Sequence, residues 1–321
     1  SGGHKASSPV LANCYNAGEI IDSTGNSNNI GAVIGASKGS NTNCYYIKGK
    51  GTDSKSGITE VDALTAAMLG DAFKEDEDGL NGGYPVLTWQ KRVPDVIISS
   101  YEEFKSLADK VNNGESYEGQ LIRLDVNLYL GGEKNPWTPI GSSANVSFKG
   151  VFDGNYHVIS GLYIETTSQN AGLFGIVQGG TVKNLVVQGQ VKGTSYAGGV
   201  VARLKGGSLV NCGNQADVSG GSYVGGVVGY GEGTAAVEGC YNQGHITGTT
   251  GYIGGVIGTL WGSQTAKNCY NGGTVTGPAT VGGVLGGHRA RSPILENCYN
   301  VGTVENSGSR VNNHGSVIGA Q

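Results

Sequence analysis

The residues of this chain whose types could do chemistry are six cysteines, five histidines, a thin set of acids and a recurrent tyrosine. Cys212, Cys240, Cys269 and Cys298 follow one another at intervals of 28, 29 and 29 residues. No Cys-x-x-Cys pair occurs, so a zinc site is not expected. One cysteine per repeat predicts an inward column with parallel Cβ directions, which suits buried free thiols better than disulfides. Cys14 and Cys44 are expected to extend that column. Gly35-Ala-Ser-Lys-Gly39 has the spelling of a nucleophile elbow, but Ser40-Asn-Thr-Asn follows it where a helix is required. A glycine-rich corner is the expectation there. The histidines (His4, His157, His245, His288, His314) include no His-Glu-x-x-His pair. From Asn155 onward the acids are Glu165, Asp217, Glu232, Glu238, Glu296 and Glu305, which do not share one coil position as a close set. That scatter does not suit the paired carboxylates of glycoside hydrolysis. Glu75-Asp-Glu-Asp78 lacks the spacing of an EF-hand loop and reads as a solvated turn. No catalytic residue, metal or cofactor is expected.

Binding is the chemistry left. Tyr15, Tyr241, Tyr270 and Tyr299 directly follow cysteines, and strand neighbours alternate faces, so inward cysteines imply outward tyrosines. Stacked tyrosines could hold a sugar or a partner's aromatic side chains. The reading the pattern favours is a cross-strand aromatic ladder that stiffens the sheet. Tyr241, Tyr270 and Tyr299 are the candidate binding residues, with Trp261 (and Tyr252 in the same repeat) widening the patch. Asn16, Asn214, Asn242, Asn271 and Asn300 stand two places after a cysteine and predict a corner ladder, tolerant of left-handed φ.

The elements that must position these residues come from a repeat. The phrases Ala171-Gly-Leu-Phe-Gly, Ala197-Gly-Gly-Val-Val, Val224-Gly-Gly-Val-Val-Gly, Ile253-Gly-Gly-Val-Ile-Gly, Val281-Gly-Gly-Val-Leu-Gly and His314-Gly-Ser-Val-Ile-Gly place their first glycines 26, 27, 29, 28 and 33 apart. Ile30-Gly-Ala-Val-Ile-Gly is a seventh copy. A period near 28 with short β-like runs between turn residues predicts the coils of a parallel β-solenoid, which share a core only when stacked. An all-β fold follows, with about six coils between 146 and 321.

A longer repeat overlies this one. Residues 1–36 match 285–320 without a gap at an offset of 284, with 20 identities in 36. The chain therefore holds slightly more than one tandem module. Residues 1–90 read as the last coils and cap of a preceding module, 91–145 as an N-terminal cap and 146–321 as solenoid coils. The boundary is expected near Arg92-Val-Pro-Asp95. Short capping helices are predicted over Thr59–Phe73, with Thr59 as N-cap, and over Ser99–Val111, with Ser99 or Ser100 as N-cap and Phe104, Leu107 and Val111 on one face. Gly119–Leu128 alternates as a strand.

Composition agrees. The 59 glycines in 321 residues are far above the ~7% usual for proteins, while charged residues are 14% against ~25%. The glycines have no three-residue period, so collagen is excluded. No run of about 18 apolar residues exists to insert in a membrane. A net charge of −4 without a basic run argues against nucleic acid.

Trp137-Thr-Pro-Ile-Gly, Phe148-Lys-Gly-Val-Phe-Asp-Gly-Asn155, His157-Val-Ile-Ser-Gly-Leu162 and Ala171-Gly-Leu-Phe-Gly resemble GLUG-motif repeat proteins. These are large bacterial surface or secreted proteins, many regarded as adhesins, with related repeats in some immunoglobulin-A-cleaving metallopeptidases. The resemblance covers about 100–321 and, through the internal repeat, 1–90. It implies a right-handed parallel β-helix, an extracellular cell-surface setting and no catalytic residues. The function expected is a non-enzymatic structural or adhesive segment, able to stack head to tail on itself or to bind a surface glycan or protein. The alternative is a carbohydrate-binding or substrate-presenting module of a secreted hydrolase; a β-helix polysaccharide lyase would need three acids, or an acid with a Lys or Arg, converging in one groove.

Overall fold

A computed structural model describes residues 10–21, 31–34, 40–53, 55–76, 80–90, 92–143, 145–262, 264–288, 294–308 and 313–320. Gly35–Gly39, His4 and the 77–78 part of the acidic turn lie outside them. The chain divides into two units, Ser1–Val93 and Pro94–Gln321.

The second unit is a parallel β-solenoid. One coil runs through five short segments: Tyr196–Gly198, Val201–Lys205, Ser208–Val210, Gly213–Asn214 and Asp217–Gly220. Each segment pairs in parallel with its copy in the next coil. Ala197 thus lies beside Val224, then Ile253, then Val281. Val218 continues as Ile246, Val275 and Val304. Two faces become six-stranded sheets in this way. The inward members are buried almost completely until the last coil, each contributing about 1.5–3 kcal/mol.

The Gly-Gly phrase has a steric reason. A Cβ on Gly225 would overlap the carbonyl oxygen of Val228, because the chain folds back on itself between two faces. A Cβ on Gly226 would overlap the Gly255 carbonyl oxygen and the Asn242 side-chain amide. The bend is therefore too tight for any side chain, and one coil's bend rests on the next.

Helix α2 (Tyr101–Asn112) covers the beginning of this solenoid. Ser100 is its N-cap, its side chain accepting from the Glu103 backbone N–H at 3.2 Å, while the Ser99 N–H donates to the Glu103 carboxylate at 2.6 Å. Phe104, Leu107 and Val111 are buried, and Phe104 stacks on Trp137 with ring centroids 5.1 Å apart. The expected strand is Leu121–Leu124, shorter than the alternation implied.

In the first unit, β1 (Val10–Asn16), β2 (Ser40–Ile47) and β3 (Ile58–Val61) form a three-stranded parallel sheet. The helix expected over Thr59–Phe73 shrinks to α1 (Ala66–Leu69). Ile58-Thr-Glu-Val61 is rich in β-branched residues and lies beside the open edge of β2, so it pairs there instead, and Thr59 is a strand residue. The N-cap position falls to Thr65, whose side chain makes no cap bond; Glu75 accepts from the Ala66 N–H at 2.6 Å in its place. Asp76 accepts from the backbone N–H groups of Leu80, Asn81 and Gly83, which makes the acidic turn a self-satisfied loop.

Candidate functional site

Three columns of side chains run from coil to coil. Cys212, Cys240 and Cys269 are buried free thiols and Cys298 is half-buried. Cys14 and Cys44 pair with each other in the sheet of the first unit and form a column of their own, not an extension of the first. Burial pushes the Cys240 thiol well up. Hydrogen bonding from Cys269, whose backbone N–H lies 3.4 Å from the sulfur, pulls Cys298 down to about 7.

The asparagine column is continuous. Asn214 donates to Asn242, Asn242 to Asn271 and Asn271 to Asn300, each Nδ2 to Oδ1 at 2.7 Å. Each amide also closes a turn on the residue two places ahead; Asn242 Nδ2 donates to the Gly244 carbonyl at 2.9 Å and Asn242 Oδ1 accepts from the Gly244 N–H at 3.2 Å. The expected left-handed φ belongs elsewhere. It is the asparagine before the cysteine that adopts it: Asn211, Asn268 and Asn297 have φ of 53°, 55° and 53°, and Gly239 takes the same place with 62°. A left-handed residue turns the strand between two faces, and asparagine or glycine tolerates it best.

Tyr241, Tyr270 and Tyr299 stack at 5.3 Å with interplanar angles of 8° and 7°. Their ring faces lie against one another, and the Tyr241 ring covers Gly213, so the edges are what they offer outward. Trp261 and Tyr252 stand on two other faces and do not widen this ladder. Tyr252 belongs to a second ladder, with Tyr196 and Tyr223 stacked at 5.1 Å and Tyr223 and Tyr252 at 5.9 Å. Tyr230 meets the first two edge-on across the bend, and burial pushes its phenol up to about 12. The signal for this second ladder is in the sequence: Tyr196, Tyr223 and Tyr252 each stand two places before the first glycine of the repeated Gly-Gly phrase.

Trp261 lies instead in a shallow groove of about 650 Å³, lined with Gln178, Arg203, Lys205, Glu232 and Thr234. Arg203 and Lys205 both approach Oε1 of Glu232, at 3.1 and 3.8 Å. The Arg203 guanidinium lies over the rings of Tyr196 and Tyr230, 5.2 and 5.6 Å from their centroids.

Residues 220–247 match the family model described as the GLUG motif. The solenoid carries the GLUG motif. The matched stretch is one coil: it holds Val224-Gly-Gly-Val-Val-Gly, Tyr230, Glu232 and Cys240-Tyr-Asn242. A crystal structure from Bacteroides ovatus, of a protein provisionally named an immunoglobulin A1 protease, is similar at 18% identity and a TM-score of 0.50. The likeness covers 70% of this chain and 83% of that one, and it concerns the fold. No curated protein sequence matches the chain.

The acids of the GLUG solenoid are spread over several strand columns, and Glu238 and Glu296, which share one column, have Lys267 between them. Glu165 pairs with Lys192 at 2.6 Å, Glu296 with Lys267 at 2.8 Å, and Glu305 accepts from Thr276 at 3.0 Å. Among the described residues no three His, Cys, Asp or Glu side chains stand close enough to hold a metal ion. Glu232 is the one carboxylate lining the Trp261 groove. Glu232 converges there with Arg203 and Lys205, the acid and cation pairing that a polysaccharide lyase would need, whereas the paired carboxylates of a glycosidase are not formed in this groove.

Proposed function

We propose that this chain is a non-enzymatic structural and adhesive segment of a large tandem-module protein on a bacterial cell surface, able to stack head to tail. The observation that supports it most is the equivalence of residues 294–300 with β1. The two stretches are related by the offset of 284, and Asn297 with φ 53° repeats Asn13 with φ 52°. β1 is covered by β2, Cys14 on Cys44 and Tyr15 on Tyr45. The equivalent coil has Ile294, Tyr299 and Val301 exposed by 48, 53 and 74%. A cavity of about 330 Å³ lies beside it, lined by Asn300, Val304 and His314. An uncovered solenoid end templates further pairing. In a tandem array the strand equivalent to β2 would cover it; between separate chains the edge strand β1 of a second copy would, and such a contact need not close.

Sedimentation of the purified chain at rising concentration tests the stacking. Linear oligomers that disappear in Tyr299→Glu/Val301→Glu are expected; a monodisperse monomer throughout would overturn it. Antibodies against the chain should label intact cells of the source bacterium, and labelling only after lysis would remove the surface setting. Release of new reducing ends from polysaccharides by the chain would overturn the non-enzymatic reading.

A further inference from the structure

The face made by Phe174–Gln178, Val201–Lys205, Val228–Gly233 and Ile257–Gly262 carries one column of unlike side chains. Parallel register sets Gln178 beside Lys205, Lys205 beside Glu232 and Glu232 beside Trp261. Adjacent strands lie ~4.8 Å apart, so an amide, an ammonium, a carboxylate and an indole stand in line along the solenoid, one per coil. The groove they line has about 650 Å³, inside the range of ligand clefts, roughly 300–1,000 Å³. It is open along its length rather than closed around a small molecule. Trp261 is 46% exposed within it. Arg203, held over Tyr196 and Tyr230 and bonded to Glu232, fixes the carboxylate before any ligand arrives. Such preorganisation lowers the ordering cost of binding.

We propose that this groove binds a linear glycan laid along the solenoid axis, one pyranose per coil. A pyranose residue is about as long as one coil step, so successive sugars meet successive side chains in register. The indole of Trp261 stacks on the apolar face of one ring, the contact for which a broad aromatic surface is suited. Glu232, Lys205 and Gln178 exchange hydrogen bonds with the hydroxyl groups of the following rings. The strands of Lys205, Glu232 and Trp261 are already paired on both sides, and Phe174–Gln178, the end strand, is bridged by Ile140 and Phe148, so a peptide cannot add there as a further strand. The proposal gives the adhesive part of the proposed function its ligand class and rests on that part alone.

The test is titration of the whole chain with linear oligosaccharides of one to six units, drawn from β-1,4-glucose, β-1,4-xylose, β-1,4-N-acetylglucosamine and α-1,4-galacturonate. Tryptophan fluorescence and calorimetry follow the binding. The expected result is saturable binding to at least one series, with affinity rising up to about four units, the number of side chains in the column, and level beyond. Trp261→Ala weakens it at least ten-fold, Trp261→Phe less, and Glu232→Gln several-fold, with unchanged circular dichroism. Tyr270→Ala, on another face, leaves it unchanged. Binding to none of the four series at millimolar concentration, or binding indifferent to Trp261→Ala, would overturn the glycan site. Surface labelling and head-to-tail stacking are read separately, so they stand or fall without it.

Discussion

Asn242 shows how much a single side chain carries in this fold. Its amide holds both backbone groups of Gly244 and links Asn214 to Asn271, all in a site without solvent. Asn242→Ala strands the Gly244 N–H and carbonyl, at about 1–3 kcal/mol for each buried group left unmade. The urea midpoint should fall by the equivalent of roughly 3–5 kcal/mol on that basis, with Asn300→Ala, at the half-buried end of the ladder, costing clearly less. Equal losses at the two positions would mean that burial of the ladder is not what matters. The thiols grade in the same direction. Cys298 is half-buried with its pKa drawn down to about 7, whereas burial raises Cys240. A thiol reagent attacks the thiolate, so in the native state Cys298 should be labelled far ahead of Cys240, with a rate that climbs as pH passes through about 7. Spacing alone made these columns legible. What it left open was which asparagine takes the left-handed φ, because both positions recur with the same period and only the direction of the turn separates them.

Between elements, close approach decides what substitution the chain tolerates. Gly226→Ala drives a methyl group into the Gly255 carbonyl of the next coil and the Asn242 amide, its own coil's member of the ladder. A loss of about 1–3 kcal/mol or more is expected from overpacking of this kind. Gly272 is the control. The nearest atom to a Cβ there is 3.7 Å away and its φ is not left-handed, so Gly272→Ala should be neutral or raise stability by about 0.4–1 kcal/mol through the unfolded chain. Thermal unfolding of the two variants decides the matter; equal destabilisation would show that glycine here is selected for something other than space. The caps divide along the same line. Helix α2 was readable because Ser100, Glu103 and the apolar spacing of Phe104, Leu107 and Val111 all agree. The helix expected from Thr59 was not, since its first residues satisfy a neighbouring strand that local sequence does not reveal.

At the scale of the whole molecule, the repeat of 284 residues makes the exposed coil at 294–306 a testable object. Residue 320 corresponds to residue 36, so a permuted chain that runs 94–320 and continues into 37–93 contains one complete module in phase. In that chain the strand Ser40–Ile47 follows the coil of Ile294–Asn300 as it follows β1 here, which sets Cys44 over Cys298 and Tyr45 over Tyr299. Covering the end buries Ile294 and Tyr299, now about half exposed, and removes an open strand edge. Nearest-neighbour interfaces contribute separately in a solenoid. The permuted chain should therefore melt several degrees above the original, since about 1 kcal/mol moves the midpoint by roughly 2–4 °C in a domain of this size. The labelling of Cys298 should slow in the same chain, and self-association should vanish with the edge that drives it. A permuted chain no more stable than the original, with Cys298 equally reactive, would mean that the long repeat preserves sequence without preserving the stacking of one module's end on its cap.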